Sequence, residues 1–377
     1  MTATSPRPTT DDQEGASTRM KIVHLLKHGV QGNGHVHVAV DLACAQARAG
    51  HSVVFAAGES DYADLLTSHG VEVVEIPAAT DVRTGITSAR VLGRLLRRFR
   101  PDVVHAHMMS SAALAYPWTR VLRVPLVTTV HNSFDRHSVL MRLGDRVVAV
   151  SGAERELLVS RGYPERKVVT ILNGVIGSPR DVLADEDDVL VRRPSVMTVS
   201  GLHPRKAVED VIAAFAMLRE RFPDWHLNVV GWGPDKERLE SLVQEQGLDD
   251  QVHFLGSTKS SRKILLQTDV FATATLADPC PLTVMEARGA GCAIVGTEVG
   301  GIPETLAHGA AGLLVPPHDP AAFAGALASI MGDEAELGRL RARALDGAQY
   351  FSVERMSGEH LDLYASLGRP ARKGTTR

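Results

Sequence analysis

The chain has 377 residues, of which 44% are hydrophobic and 23% charged, and its formal net charge is −3. This length is enough for two ordinary domains, and the near-neutral charge excludes a general attraction to nucleic acid or to an anionic membrane. The three cysteines, Cys44, Cys280 and Cys292, show no C-x-x-C spacing, so neither a disulfide framework nor a zinc site is predicted. Residues 1–19 are expected to form a disordered tail that lacks the apolar region of a signal peptide. Since no apolar run reaches the ~18 residues that span a bilayer, we expect a cytoplasmic protein.

The first half of the chain alternates apolar runs with helical patterns. A strand at 21–26 is followed by a glycine-bearing turn, a helix with apolar positions at Val38 and Leu42, and a strand at 51–56. Strand, helix and strand at this spacing are typical of a βαβ unit with parallel strands. Further elements of this half are predicted as strands at 71–76, 103–106, 126–130, 146–150 and 168–172 and a helix at 88–99.

This alternation breaks between residues 177 and 194, where Pro179 and the acidic run 185–188 predict a linker between two domains. The alternative is a long surface loop inside one domain. The alternation then resumes, with strands predicted at 195–200, 226–230, 253–255, 270–274, 293–296 and 313–315 and a helix at 208–222.

The predicted fold is therefore α/β, with two doubly wound Rossmann-like domains that face each other across a cleft. The N-terminal domain is predicted at 20–193 and the C-terminal domain at 194–350. A helix at 351–368 is expected to pack back on the N-terminal domain, before a basic tail at 369–377. Ligands of such sheets bind at the carboxyl ends of the strands.

The most informative motif is the segment 278–287, which reads DPCPLTVMEA. Asp278 falls on a loop, and Glu286 falls inside a helix predicted to begin near Leu282. The N–H groups of Leu282 and Thr283 have no partner inside the helix, so they suit a phosphate group. A carboxylate one turn into the helix can accept hydrogen bonds from both hydroxyls of a ribose. An acidic pair at this spacing is equally typical of an exposed helix.

Two further motifs follow the first two strands of the second half. Arg205 and Lys206 are adjacent cations that suit a diphosphate, or else belong to a solvated turn. Gly231 and Gly233 either allow a close approach of the backbone to a ligand or form a tight turn. Neither this glycine turn nor the one at 29–34 matches G-x-G-x-x-G, so a nicotinamide cofactor is not predicted.

The order and spacing of these segments, over about residues 21–367, resemble those of glycosyltransferase family 4, whose members are retaining transferases with the GT-B fold. The stretch 278–304 resembles the E-x7-E segment of the family and its following V-G-G-I-P-E, and 173–175 resembles its N-G-V. His107, and His131 with Asn132, resemble the two histidine-bearing strand ends of the acceptor domain.

The resemblance implies transfer of a sugar from a UDP- or GDP-linked donor to a hydroxyl acceptor, in glycan, glycolipid or small-glycoside biosynthesis. By position, Glu286 would hold the ribose and Asp278 the hydroxyls of the donor sugar. Lys206 would contact the diphosphate, with Arg205 beside it. The leaving phosphate would assist deprotonation of the acceptor. No D-x-D motif lies where it would hold a divalent metal, so neither a metal nor another cofactor is expected.

In the N-terminal domain, the resemblance implies that Gly32 and Gly34 let the backbone approach the donor phosphates. His131 would lie beside the reacting sugar, and His107 and Asn132 would lie on the acceptor side. A histidine at the end of a buried strand is also often a capped polar group without a role in the reaction.

The chain departs from the pattern of the family at three places: Asp278 replaces the usual Glu, Cys280-Pro281 replaces Phe-Gly, and 200–202 reads SGL instead of GRL. Two other functions therefore stay open: a nucleotide-sugar-binding protein without turnover, and a phosphorylase or epimerase of the same fold. The basic amphipathic segment 90–100 is interpreted as a helix with an apolar core face. Peripheral contact with a membrane and a lipid-linked acceptor are alternatives that this segment leaves open.

Overall fold

The computed structural model describes residues 19–77, 81–134, 136–183, 191–258 and 260–368. Within these residues, a first sheet of seven parallel strands has the order β3-β2-β1-β4-β5-β6-β7. Its strands are β1 (Lys21–Leu25), β2 (Ser52–Ala57), β3 (Glu72–Glu75), β4 (Val103–Ala106), β5 (Leu126–Val130), β6 (Arg146–Ala149) and β7 (Val168–Thr170).

A second sheet, again parallel throughout, has six described strands in the order β10-β9-β8-β11-β12-β13. Its strands are β8 (Ser195–Val199), β9 (His226–Val230), β10 (Val252–Gly256), β11 (Val270–Thr273), β12 (Ala293–Thr297) and β13 (Leu313–Val315). In both sheets the order reverses beside the first strand, which leaves a crevice at the carboxyl ends of the strands. The predicted pair of doubly wound domains is confirmed.

Helices connect the strands of both sheets. The first domain carries α1 (Gly34–Arg48), α2 (Ala63–Ser68), α3 (Val82–Phe99), α4 (Met109–Leu122) and α5 (Gly152–Ser160). The later helices are α6 (Val208–Ala216), α7 (Lys236–Glu245), α8 (Ser261–Leu265), α9 (Leu282–Ala290), α10 (Ile302–Thr305), α11 (Pro320–Met331), α12 (Glu334–Leu345) and α13 (Val353–Ser366). None of the helices in the described residues is long and apolar enough to cross a bilayer.

Two predicted helix limits were wrong. Helix α3 begins at Val82 instead of residue 88 because Asp81 and Thr84 form a capping box, with Asp81 accepting from the backbone N–H of Thr84 at 2.9 Å. Helix α6 ends at Ala216 instead of residue 222, since the chain tightens into turns before Pro223. The leucines of α3 are buried in the core of the first domain, which confirms the core-face interpretation of the basic helix.

The chain between the two sheets is fixed to the first domain by a buried ion pair. Arg180 donates to both carboxylate oxygens of Asp41 on α1, at 2.8 and 2.9 Å. Helix α13 also lies against α1, where Val353 and Met356 share an apolar cluster with Leu42. The predicted acidic run 185–188, residues 1–18 of the predicted N-terminal tail and the predicted tail at 369–377 lie outside the described residues.

Candidate functional site

The N-terminus of α9 lies at the edge of the crevice in the second domain. The helix begins at Leu282, and its N-cap Pro281 has no side chain that could satisfy the free N–H groups. The preceding loop is folded by Asp278, which accepts a hydrogen bond from the N–H of Cys280 at 3.2 Å. The amides of Leu282 and Thr283 are therefore available to an anion, and the positive end of the helix dipole adds to the attraction.

Lys206 lies against this loop. It ends the short turn after β8, and its ammonium group lies 2.5 Å from Oδ2 of Asp278, with both side chains less than a fifth exposed. Two residues predicted to bind different parts of one ligand thus form an ion pair with each other. A ligand that contacts both must carry an anionic group for Lys206 next to hydroxyl groups that donate to Asp278.

Arg205 has a different environment from Lys206. Its guanidinium group donates to the carbonyl of Ala277 and lies over the ring of Phe134, 4.6 Å from the ring centroid. Phe134 belongs to the first domain, so Arg205 connects the two sides of the cleft by a cation–π contact. This contact was not predicted, because the sequence around Phe134 carries no motif that indicates a partner in the other domain.

Glu286 is half-buried on α9, on the side of the helix away from its apolar core contacts. The Ser261 hydroxyl donates to its Oε2 at 2.5 Å. Burial raises the pKa of Glu286, and the positive charge of Arg180 opposes that rise. Ser261, which opens α8, was not predicted as part of the site, although it orients the carboxylate proposed to hold the ribose.

The four glycines predicted to approach the donor have different surroundings. A side chain at Gly34, where α1 begins, would contact the Leu282 side chain at 3.4 Å, so the first residues of α1 and α9 lie close together across the cleft. Gly32 has a φ of +82° and open space where a side chain would lie. A Cβ atom at Gly231 would lie 1.8 Å from the carbonyl oxygen of Ser200, and one at Gly233 would meet Leu202 in the same way. These last two glycines are thus required for packing between turns, and their contact with a donor stays a prediction.

The first domain contributes a cavity of about 400 Å³ at the ends of β4 and β5. His107, His131 and Asn132, predicted for the acceptor side, all line it. Nδ1 of His107 lies 3.2 Å from Nε2 of His131. Half of the remaining lining residues are apolar, among them three methionines, and the other half are polar: Met108, Met109, Met141, Leu140, Val130, Thr129, Ser110, His35, His137 and Lys27.

Three histidines beneath this cavity have ring nitrogens within 4.8 Å of one another: His24, His105 and His107. Burial lowers the pKa of His24 to about 4 and that of the other two well below the usual value. Their nitrogens already hydrogen bond within the protein: His24 to His107 at 3.0 Å, and His105 to Tyr364 at 2.7 Å. The sequence indicates this cluster only by His24, a polar side chain among the apolar residues of strand β1.

A further contact between the domains involves Glu304 of the V-G-G-I-P-E segment. Its carboxylate accepts a hydrogen bond from the backbone N–H of Gly152 at 2.7 Å. Gly152 is the first residue of α5, so the negative charge lies at the positive end of that helix. In the sequence, Glu304 is marked only as the last residue of the V-G-G-I-P-E segment, with no contact predicted for it.

Comparison with known protein families gives two matches that together cover most of the chain. Residues 32–176 match the family described as Glycosyltransferase Family 4, and residues 193–333 match Glycosyl transferases group 1. The boundary between the two matches falls in the segment that joins the two sheets.

Two curated relatives show the range of similarity. The chain is 34% identical to an exopolysaccharide phosphotransferase of Streptomyces coelicolor over 59% of this chain and 23% of that protein. It is 27% identical to the D-inositol 3-phosphate glycosyltransferase of Nocardia farcinica over 70% of this chain and 66% of that protein. The match thus covers less than two thirds of the length of either relative.

Solved structures share the fold. The HepE protein of Anabaena, solved in complex with UDP-glucose, superposes with a TM-score of 0.77 at 20% identity, over 92% of this chain and 100% of that one. Both sheets and the cleft between them are therefore common to the two proteins.

Proposed function

Since the chain belongs to glycosyltransferase family 4 and has the GT-B fold, we propose that it transfers a sugar from a nucleoside-diphosphate sugar to a hydroxyl acceptor. The donor is UDP- or GDP-linked, and the product keeps the anomeric configuration of the donor. The reaction needs no divalent metal. The D-inositol 3-phosphate glycosyltransferase and the UDP-glucose complex of HepE support this class of reaction.

One observation carries the proposal: two helix N-termini without side-chain caps lie close together across the cleft, and Lys206 lies beside one of them. Helix α1 has no capping hydrogen bond from Asn33 and no acidic residue in its first turn, and α9 also lacks both. The two helix dipoles and the ammonium group suit the two negative phosphates of a nucleoside diphosphate.

These groups act on the charge that develops during the reaction. Departure of the nucleoside diphosphate concentrates negative charge on its terminal phosphate, next to Lys206 and the amides of Leu282 and Thr283. Groups that stabilise this growing charge lower the barrier more than they strengthen binding of the donor. Lys206 and these amides would thus neutralise the leaving group, which is the role of a bound metal ion in other transferases.

The remaining polar groups suit the other parts of the ligands. Glu286, oriented by Ser261, accepts from the ribose, and Asp278 accepts from hydroxyls of the donor sugar. The cavity lined by His107, His131 and Asn132 receives the acceptor, and its methionines adapt to an apolar portion of that molecule. The acceptor could also be lipid-linked, with the protein in peripheral contact with a membrane. Sedimentation with anionic vesicles tests that membrane contact.

The first experiment is a thermal-shift screen of UDP, GDP and their sugars, followed by an assay of nucleotide release with a panel of acceptors. A donor at ~100 times its dissociation constant should stabilise the protein by ~2.7 kcal/mol. Release of nucleotide that depends on the acceptor, in the presence of EDTA, supports the proposal. Donor binding without release would favour the binding protein without turnover, and release that requires inorganic phosphate would favour a phosphorylase. Proton NMR of the product then shows whether the anomeric configuration is retained.

A further inference from the structure

A row of hydrogen-bonded side chains connects the core of the first domain to the cleft. Gln46 on α1 contacts His24 on β1, with 2.8 Å between Oε1 and Nε2. Nδ1 of His24 lies 3.0 Å from Nε2 of His107, and Nδ1 of His107 lies 3.2 Å from Nε2 of His131. These four residues are called the histidine network below. Gln46 and His24 are fully buried, whereas His131 lines the cavity.

The three imidazoles of the network are neutral near pH 7. Burial lowers the pKa of His24 to about 4, and burial together with neighbouring histidines lowers the pKa of His107 and His131 well below the usual value. A neutral imidazole has one N–H donor and one acceptor nitrogen. The position of one proton therefore determines the positions of all the others along the row.

The carbonyl oxygen of Gln46 sets the direction of the row, since it can only accept. Nε2 of His24 must then carry its proton, which leaves Nδ1 of His24 as an acceptor for Nε2–H of His107. In the same way, Nδ1 of His107 accepts from Nε2–H of His131. Nδ1 of His131 is left without a proton.

A second row supports this orientation of Gln46. Its amide nitrogen is buried and has no hydrogen-bond partner among the described residues, and its side chain opposes the rise in the pKa of Tyr364 that burial causes. The Tyr364 hydroxyl lies 2.7 Å from Nδ1 of His105, whose Nε2 lies 2.7 Å from the Thr129 hydroxyl. With its oxygen toward His24, Gln46 keeps its N–H groups free for the phenol oxygen, and the phenol proton is then left for His105.

We propose that Gln46, acting through the two buried histidines, holds His131 in the tautomer that is protonated on Nε2. Nδ1 of His131 then accepts a hydrogen bond from a substrate hydroxyl in the cleft. Gln46 and His24 are positioning residues, because neither reaches the cavity. The substrate hydroxyl rests on the proposed function, whereas the tautomer does not. The described residues form no hydrogen bond to Nδ1 of His131, and this nitrogen is not among their buried unpartnered atoms.

The test is long-range ¹H–¹⁵N NMR on protein labelled with [¹⁵N]histidine at pH 7.5, without substrate. The His131 signals are assigned as those lost in His131→Gln. We expect a protonated Nε2 and an unprotonated Nδ1, with the other tautomer below roughly one part in ten. A protonated Nδ1 or a doubly protonated ring in the wild-type protein overturns the proposal, and this result does not depend on any transfer activity.

The variant Gln46→Met removes the acceptor at similar volume and should bring the two tautomers of His131 to comparable populations. The matched control is His360→Gln, which changes a buried histidine with a ring 5.4 Å from that of His105 but outside the network. It should leave the His131 tautomer unchanged. An unchanged tautomer in folded Gln46→Met would contradict the positioning role.

If the proposed transfer is established, Gln46→Met should also lower turnover by roughly tenfold, the effect of one hydrogen bond, with little change in nucleotide affinity. If Gln46→Met mixes the tautomers of His131 but leaves turnover unchanged, the positioning role of Gln46 stands and the hydrogen bond from a substrate hydroxyl to His131 is contradicted.

Discussion

The two sides of the cleft use different chemistry. The side from the first domain forms a cavity lined by methionines and by His107 and His131, whose pKa values are lowered by burial. The opposite side, from the second domain, carries Lys206, Asp278 and Glu286 on loops and at the start of a helix. The difference follows from burial, since His107 is packed at the end of β4 with little contact with water, whereas the charged residues lie on loops or at a helix start and keep part of that contact.

This contrast separates the tasks of a transferase. Charged groups with partial access to water can bind and release a phosphate-bearing ligand. Neutral donors and acceptors in an apolar cavity can distinguish hydroxyl groups without the cost of burying a charge. The following predictions test whether the charged and neutral sides are as different as the contacts indicate, beginning with the largest expected effect.

The largest effect concerns the buried ion pair between Asp41 of α1 and Arg180. Asp41→Asn leaves Arg180, which is 8% exposed, without its carboxylate, so the free energy of unfolding should fall by ~3–5 kcal/mol. Urea denaturation measures this change. The control Glu72→Gln removes a solvent-exposed ion pair with Arg98 and should cost less than ~1 kcal/mol. Equal costs for the two variants would show that Asp41 is not effectively buried.

The neutral histidines predict how stability depends on pH. Burial lowers the folded-state pKa of His24 and of His360 from 6.5 to about 4, so between these values the unfolded chain binds more protons. Stability is therefore complete above about pH 6.5 and is lost as the pH falls. At pH 5, ~1.5 pH units below the unfolded pKa, each histidine should cost ~2 kcal/mol.

Denaturation at pH 7.5 and pH 5, in the wild type and in His360→Gln, measures this dependence. The free energy of unfolding should differ less between the two pH values in the variant than in the wild type, since the variant has one buried histidine fewer. If stability is the same at both pH values, the histidines are not held neutral by burial.

On the charged side, Lys206→Ala should reduce turnover by ~10², because one electrostatic contact to the leaving diphosphate is lost. Donor affinity should change less, since the charge grows during the reaction. Lys206→Arg should recover only part of the rate, and adding Arg205→Ala to Lys206→Ala should cost more than either change alone.

Steady-state kinetics and calorimetric donor binding measure these effects. The control is Lys167→Ala, in which a lysine bonded to the carbonyl of Gly144, away from the cleft, is removed. If Lys206→Ala turns over as fast as the control, Lys206 does not stabilise the leaving diphosphate.

The smallest effect concerns the ribose. Glu286→Ala should weaken binding of the free nucleoside diphosphate at least ~10-fold, after competition with water is taken into account. Calorimetry on the variant and on Glu240→Ala, a change at a helix position paired with Lys236, gives the comparison. Unchanged affinity in folded Glu286→Ala would show that the ribose binds elsewhere.

Much of the architecture could be predicted from the sequence because it depends on local patterns. Strands β4, β5, β9 and β13 begin and end at the predicted residues. The start of α9 at Leu282 follows from Pro281, which fixes its own φ and cannot continue a helix in the N-terminal direction. The early start of α3 at Val82 was missed, since a polar first turn carries no apolar periodicity and only its capping box marks it.

The sequence by itself determined which residues carry charge at the ends of strands: Lys206 after β8, and Asp278 and Glu286 around the start of α9. Only the tertiary structure decided their partners. The ion pair of Lys206 with Asp278, the stacking of Arg205 on Phe134 and the contact of Glu304 with α5 join segments that are distant in the chain. The protonation of His131 depends in the same way on Gln46, because a row of single hydrogen bonds exists only when strands β1, β4 and β5 lie side by side. Local periodicity specifies elements, whereas hydrogen bonds across a sheet or a cleft are specified by packing in three dimensions.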